Sequence, residues 1–352
     1  MQLRRMGNTG LHVSELCLGA MNFGMPDWGV DEKTSLDVIA AFLDTGGNFI
    51  DTADVYAKGV SEEFCAKGIA GKRDKVIIAT KGHFPVVKRF GEPPDHENAH
   101  GSSRRHLTAA LEASLRRLKT DYIDLYQVHC WDAVTPIEET LSTLNDFVRT
   151  GKVRYVGLSN FDSWQIAESR QLCIRHGWEP FVTAQMQYSL VRRDIESGVL
   201  PVCNRYGIGI LPWSPLGGGV LSGKYKSDGT GPTDSRFGPT PDAANAWRKD
   251  FVNERNLGIA ETVRKVATKL EASPTALAIA WVLARPMVTS VIIGPKTVAQ
   301  LRDNMTACAI RIPESEMIAL NDASEPTPTY PASFIAKNKR NTGQYSDEVR
   351  RG

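Results

Sequence analysis

Short apolar runs rich in β-branched residues recur along this chain at steps of roughly 25–40 residues, with stretches of helical period between them. The runs are Glu15–Gly19, Asn48–Thr52, Val76–Lys81, Ile123–His129, Val153–Ser159, Val182–Met186, Ile208–Trp213 and Ser290–Gly294. Most are apolar at both odd and even positions, as strands covered on both faces are. Thr34–Asp44 aligns Leu36, Ile39, Ala40 and Leu43 on one stripe and stops at Gly46-Gly47. Leu107–Leu118 carries Leu107, Leu111, Leu115 and Leu118 at helical spacing. Pro136–Arg149 opens on a proline suited to a first turn and stops at Gly151, and Ser163–His176 stops at Gly177. Leu257–Leu270 and Pro274–Ala284 precede the last strand, and Val298–Thr306 and Glu314–Ala323 follow it.

Eight strands, each followed by helix, predict an α/β chain folded as a (β/α)8 TIM barrel. An open doubly wound sheet is the competitor. The count of eight and the absence of an early G-x-G-x-x-G favour the barrel. Gln2–Arg5 and His12–Leu16 flank Gly7-Asn8-Thr9-Gly10 and predict an N-terminal β-hairpin. Gly217–Asn245 is rich in Gly, Pro, Ser, Thr and Asp, and reads as a long loop at the barrel mouth. The expected organisation is a single barrel domain over 1–323 and a C-terminal tail without helix over 324–352.

Composition narrows the class. Of 352 residues, 42 are Lys or Arg and 40 are Asp or Glu, a net charge of +2 that argues against a nucleic-acid partner. The longest apolar run, Ala276 to Ala284, is far shorter than the roughly 20 residues that span a bilayer. No apolar stretch follows Met1-Gln2-Leu3-Arg4-Arg5, so no signal peptide is expected and the chain reads as cytoplasmic. The six cysteines are scattered through apolar segments without a C-x-x-C pair, which fits small buried hydrophobes.

Two motifs match by letter and fail by context. His96-Glu97-Asn98-Ala99-His100 spells H-E-x-x-H, but prolines before it and Gly101-Ser102-Ser103 after it predict a loop, whereas zinc needs both imidazoles on one helix face. Gly218 to Tyr225 approaches a P-loop, with Tyr225 where a magnesium-binding hydroxyl belongs. Its successive glycine amides can still cradle an anion.

The strand ends carry chemistry. Asp51 closes the second barrel strand and leads to Tyr56, Lys81 closes the third and His129 the fourth. In a barrel these ends converge on one mouth. A Tyr hydroxyl is a proton donor whose free pKa of about 10 is high, and a neighbouring ammonium lowers it. An Asp beside the Lys holds it charged, and a neutral His orients a carbonyl oxygen. Together they form a device for protonating a carbonyl oxygen while hydride arrives elsewhere.

These residues resemble the aldo-keto reductases. Asn48-Phe49-Ile50-Asp51-Thr52-Ala53-Asp54-Val55-Tyr56 looks like that family's signature, and Lys81 and His129 match its other two catalytic positions. The resemblance runs from about residue 1 to 310 and implies NADPH bound across the mouth, with NADH possible. It implies cofactor contacts from Gly19, Met21, Asp51, Ser159, Asn160 and Gln185. Trp213 matches the ring that stacks on nicotinamide, and Trp there resembles the bacterial and potassium-channel-β branches. Ser214, Leu216, Gly218, Gly223 and Lys224 fit the pyrophosphate stretch, and Gly294, Lys296, Thr297, Gln300, Asp303 and Asn304 the loop that reads the adenosine phosphate and adenine. Many members have Arg where this chain has Gln300, so Lys296 and Thr297 are left to meet the phosphate.

The implied reaction is reversible NADPH-dependent reduction of an aldehyde or ketone, with Tyr56 as proton donor. Met21, Trp28, Phe84 and Trp131, with Tyr56 and His129, are the expected substrate wall. The expected partner is a small carbonyl compound, not a membrane, and the chain a monomer or homo-oligomer. The alternative is a nicotinamide-binding redox-sensing regulatory subunit with little turnover.

Overall fold

The computed structural model describes residues 1–26, 28–87, 92–225, 231–232, 248–328 and 330–338. Strands β1 (Leu3–Arg5) and β2 (His12–Ser14) form the expected antiparallel hairpin. Eight parallel strands follow: β3 (Leu16–Gly19), β4 (Phe49–Asp51), β5 (Ile77–Gly82), β6 (Ile123–Val128), β7 (Val153–Ser159), β8 (Thr183–Gln187), β9 (Gly209–Trp213) and β10 (Val291–Ile293). From β3 to β9 each pairs with the next in sequence, and β10 returns to pair with β3. The circuit closes where Ile210 N–H donates to Met287 O and Thr289 N–H to Ile210 O, both at 2.9 Å. The eight predicted strands are therefore those of a (β/α)8 barrel, with ends displaced by a residue or so from the expected bounds.

The helices are α1 (Glu32–Asp44), α2 (Val60–Gly68), α3 (Arg104–Leu118), α4 (Ile137–Arg149), α5 (Ser163–His176), α6 (Val199–Tyr206), α7 (Glu254–Lys269), α8 (Pro274–Leu283), α9 (Val298–Thr306), α10 (Glu314–Ala323) and α11 (Ala332–Lys337). The pattern did not reveal α2 or α6. The buried side of α2 carries Ser61 and Glu62 beside Cys65 and Ala66, so it lacks an apolar stripe. Helix α6 has 8 residues with a proline in its first half, too short for periodicity to register. Helix α3 begins at Arg104, three residues before the first leucine, because Ser103 caps it by accepting from His106 N–H. The stretch after residue 323, expected to lack helix, carries α11. Much of the 217–245 loop and the residues from 339 onward lie outside the described residues.

Strand parity sorts the core. Leu16, Leu18, Ile50, Ile78, Val156, Leu158 and Ile210 belong to the cluster that packs under the helices. Alternate residues Cys17, Phe49, Ala79, Leu125, Leu211 and Ile292 fill the barrel interior. Met6 and Val13 of the hairpin join this inner cluster and are fully buried, so the hairpin plugs the N-terminal end. Gly7 makes the plug possible: its φ is +52°, and a Cβ there would lie 2.3 Å from Val182 O. One step along each strand from the apolar inner layer, the same parity presents Asp51, Lys81, Gln127, Ser159, Gln185 and Trp213 at the C-terminal mouth.

Candidate active site

Lys81 and Asp51 face each other across adjacent strands. Lys81 is fully buried and Asp51 nearly so. The ammonium donates to Asp51 Oδ2 at 2.6 Å, to Thr52 O at 2.8 Å and to the Tyr56 hydroxyl at 3.3 Å, which satisfies all three of its protons. Burial works against the Lys81 charge, but the Asp51 carboxylate and Tyr56 outweigh it and hold the pKa above the ordinary lysine value.

Tyr56 opens a short 3-10 turn over Tyr56–Gly59, in which Ala57 and Lys58 hold φ of +47° and +57°. Two successive non-glycine residues in the left-handed region are strained, a cost that clusters at functional sites. The half-buried Tyr56 ring stands edge-on to His129, with centroids 5.8 Å apart and planes at 79°. His129 extends β6 by one ladder bond, from its N–H to Gly82 O at 3.1 Å. Burial pushes the His129 pKa well below the usual histidine value, and the Lys81 charge adds to this, so the imidazole is neutral near pH 7. The four expected catalytic residues thus come together.

Gln127 was not anticipated. Its Nε2 donates to Asp51 Oδ1 at 3.1 Å, beside Gln185 Nε2 at 2.8 Å on the same oxygen. Gln185 Nε2 also reaches Gln127 Oε1 at 3.2 Å. The signal was available: Gln127 lies two residues before His129, on the same side of the strand.

The remaining expected residues ring the mouth. Ser159 Oγ donates to Gln185 O at 2.8 Å, and Asn160, at φ +56°, donates from Nδ2 to His129 O and to Ser159 Oγ, each at 3.0 Å. Gly19 pairs with Asp51, and a Cβ there would meet Ile292 Cγ2 at 2.6 Å. Half-buried Met21 and Trp28 lie on the loop after β3, and the Lys296 ammonium stands 6.0 Å from the Trp28 ring. Asn22 Nδ2 donates to Pro295 O at 3.0 Å and ties that loop to the one after β10.

Gly294 is exposed, Thr297 caps α9, and Gln300 Oε1 accepts from Lys296 N–H at 2.8 Å. Asp303 is half-buried and Asn304 buried. Phe84 stands edge-on to His129 at 5.0 Å, whereas Trp131 lies further out against Phe161.

Trp213 is half-buried at the end of β9, and a turn follows with Ser214, Gly217, Gly218, Gly219 and Gly223 all at positive φ. The amides of Gly217, Gly218, Gly219 and Gly223 donate within this turn, to Ser214 O, Ser214 Oγ, Leu216 O and Val220 O. A Cβ on Gly219 would lie 2.6 Å from Lys224 Nζ, so glycine is what lets the ammonium fold over the turn. With these four amides turned inward, the expected amide cradle is closed, and the Lys224 ammonium over the turn, with the carboxamides beside Tyr56, is what suits an extended anionic dinucleotide. Among the described residues no cluster of His, Cys, Asp or Glu is arranged to hold a metal ion, and His96 to His100 lie in turns and bends, not a helix. No helix among the described residues is long and apolar enough to cross a membrane.

Comparison with known proteins agrees with this geometry. The profile of the Aldo/keto reductase family matches residues 15–325. The uncharacterized oxidoreductase YrpG of Bacillus subtilis (strain 168) is 37% identical over 330 residues, which cover 92% of this chain and 95% of that protein. Versiconal hemiacetal acetate reductase of Aspergillus parasiticus is 32% identical over 347 residues, 94% of this chain and 99% of that protein. Norsolorinic acid reductase of Aspergillus flavus is 31% identical over 334 residues, 93% and 82% respectively. These relatives are a bacterial oxidoreductase and two fungal reductases, and they lend no support to the potassium-channel-β branch. The chain belongs to the aldo/keto reductase family and is an oxidoreductase acting on carbonyl and alcohol groups.

Proposed function

We propose that this enzyme reduces an aldehyde or ketone to an alcohol with NADPH, Tyr56 giving the proton. The observation that carries the reading is the Lys81 ammonium, buried and held at once by Asp51, Thr52 O and the Tyr56 hydroxyl. A cation at that distance stabilises the phenolate left when Tyr56 gives up its proton. Neutral His129, edge-on to Tyr56, orients the carbonyl oxygen without competing as an acid. Gln127 and Gln185 hold Asp51, and Asp51 holds Lys81.

A nicotinamide held at this mouth would supply the hydride that the carbonyl carbon accepts. The carboxamide nitrogens of Asn160 and Gln185 are committed to protein acceptors, so their oxygens would accept from the nicotinamide amide. Ser159 would complete that contact, and Trp213 would back the ring. Lys224 over its glycine turn meets the pyrophosphate, with Ser214, Leu216, Gly218 and Gly223 shaping the turn. Lys296, with Thr297, meets the 2′-phosphate and favours NADPH over NADH. Gln300, Asp303 and Asn304 complete that end. Loss of nicotinamide absorbance with a panel of aldehydes, ketones and keto-sugars tests the reading. Turnover on at least one class is expected. Tight NADPH binding with no turnover on any would instead favour a redox sensor.

A further inference from the structure

Trp164 is a large apolar side chain that folding leaves 57% exposed. It lies in the first turn of α5, directly after the mouth residues Ser159 and Asn160 at the end of β7. Its indole meets Trp131 edge-on, with centroids 5.5 Å apart and planes at 65°. Trp131 rests on Phe161 at 5.1 Å, and Phe161 on Phe181 at 6.0 Å. Phe161 and Phe181 are buried, Trp131 half-buried and Trp164 open. An aromatic ladder therefore climbs from the core to the rim, and its outermost rung lies bare.

The ladder is continuous with the catalytic centre. Trp131 follows His129 by two residues, and β6 and β7 are neighbours in the sheet, so their loops are neighbours on the mouth. The Asn160 side chain locks the two together through His129 O. An exposed Trp on a rigid helix turn offers wide contact area at little conformational cost, and aromatic partners prefer edge-to-face or offset geometry against it. Among the described residues no lysine or arginine packs over either indole ring.

We propose that Trp164, with Trp131, forms an outer subsite for an aryl group carried some distance from the reacting carbonyl, so that the enzyme selects fused-ring or extended aryl carbonyls over small aliphatic ones. The inference rests on the reductase reading above. The continuity of the rim with His129 favours substrate over a protein partner or a second copy of the chain.

The test compares 2-naphthaldehyde with propanal, NADPH being the reductant, for the parent enzyme and for Trp164→Ala and Trp164→Phe. The expected result is a fall of roughly tenfold in the naphthaldehyde-to-propanal ratio of kcat/KM for Trp164→Ala, carried by KM, with most of the ratio restored in Trp164→Phe. An unchanged ratio overturns the subsite. So does an unchanged ratio accompanied by loss of a dimer on gel filtration, which reassigns the rim to a subunit contact. A parent that reduces other carbonyls of the panel above but not 2-naphthaldehyde overturns the subsite alone, whereas a parent that turns over no aldehyde, ketone or keto-sugar brings down the reductase reading and the subsite with it.

Discussion

Lys81 Nζ stands 2.6 Å from Asp51 Oδ2, with 0% and 3% of the two side chains exposed. A buried pair of this kind contributes little net stability when intact, yet removing one partner leaves an uncompensated charge. Lys81→Met is therefore expected to destabilise the fold by about 3–5 kcal/mol by urea unfolding, and to lower kcat by roughly 10²–10⁴-fold. Full activity in a stable Lys81→Met protein would mean that the ammonium does not serve Tyr56.

Gln127 acts on the same carboxylate from the other side. Gln127→Leu removes one of two carboxamide donors to Asp51 Oδ1 while Gln185 keeps the second. A hydrogen bond to a charged group is worth about 1.5–3 kcal/mol. The expected outcome is a tenfold or greater drop in kcat with cofactor affinity retained. An unchanged kcat would reduce Gln127 to packing.

Asp54 is a buried carboxyl whose oxygens have no hydrogen-bond partner among the described residues, and burial, with Glu62 nearby, pushes its pKa well above the usual carboxylate value. The unfolded chain ionises freely there, so at neutral pH this group opposes folding. Asp54→Asn keeps the shape without the charge and is expected to raise the urea midpoint at pH 7.5. A lowered midpoint would mean that the carboxylate form is needed. Glu62 is a partnered carboxylate that accepts from Thr80 and from Arg117, both at 2.6 Å, and Glu62→Gln should destabilise.

Acid should weaken the fold through His106. Burial, with His100, His83 and His96 adding to it, pushes its pKa down to about 4. A depressed histidine leaves its stability intact above the unfolded value near 6.5, and loses it as pH falls towards the folded value. Asp54 acts in the other direction, so the informative quantity is the difference between the parent and His106→Gln. That difference should shift against the parent by about 1.4 kcal/mol between pH 7.5 and 5.5, read from urea unfolding. No shift would place a proton on His106 in the folded protein.

Legibility in the sequence followed the physics. All eight barrel strands were visible because burial on both faces makes them apolar runs, and the candidate catalytic positions because Asp51, Lys81 and His129 are charged or polar residues at the ends of such runs. Helix α2 was hidden because its inward side is polar: Ser61 pairs with Thr52 and donates to Ala20 O, and Glu62 accepts from Thr80 and Arg117. Gln127 was hidden because a single polar residue inside an apolar strand carries no periodic signal, although its parity with His129 was available. The closed glycine turn after Ser214 was legible as glycine-rich, but not that four of its amides donate inward, which leaves Lys224 as its charged feature.

The central claim is that Tyr56 gives the proton. Tyr56→Phe removes one hydroxyl and leaves the ring that meets His129. Single-turnover and steady-state reduction of an aldehyde should be measured beside NADPH binding by fluorescence titration. The account predicts NADPH affinity close to the parent's and turnover lower by roughly 10²–10⁴-fold or more. A Phe variant that binds NADPH and keeps most of its turnover would contradict it.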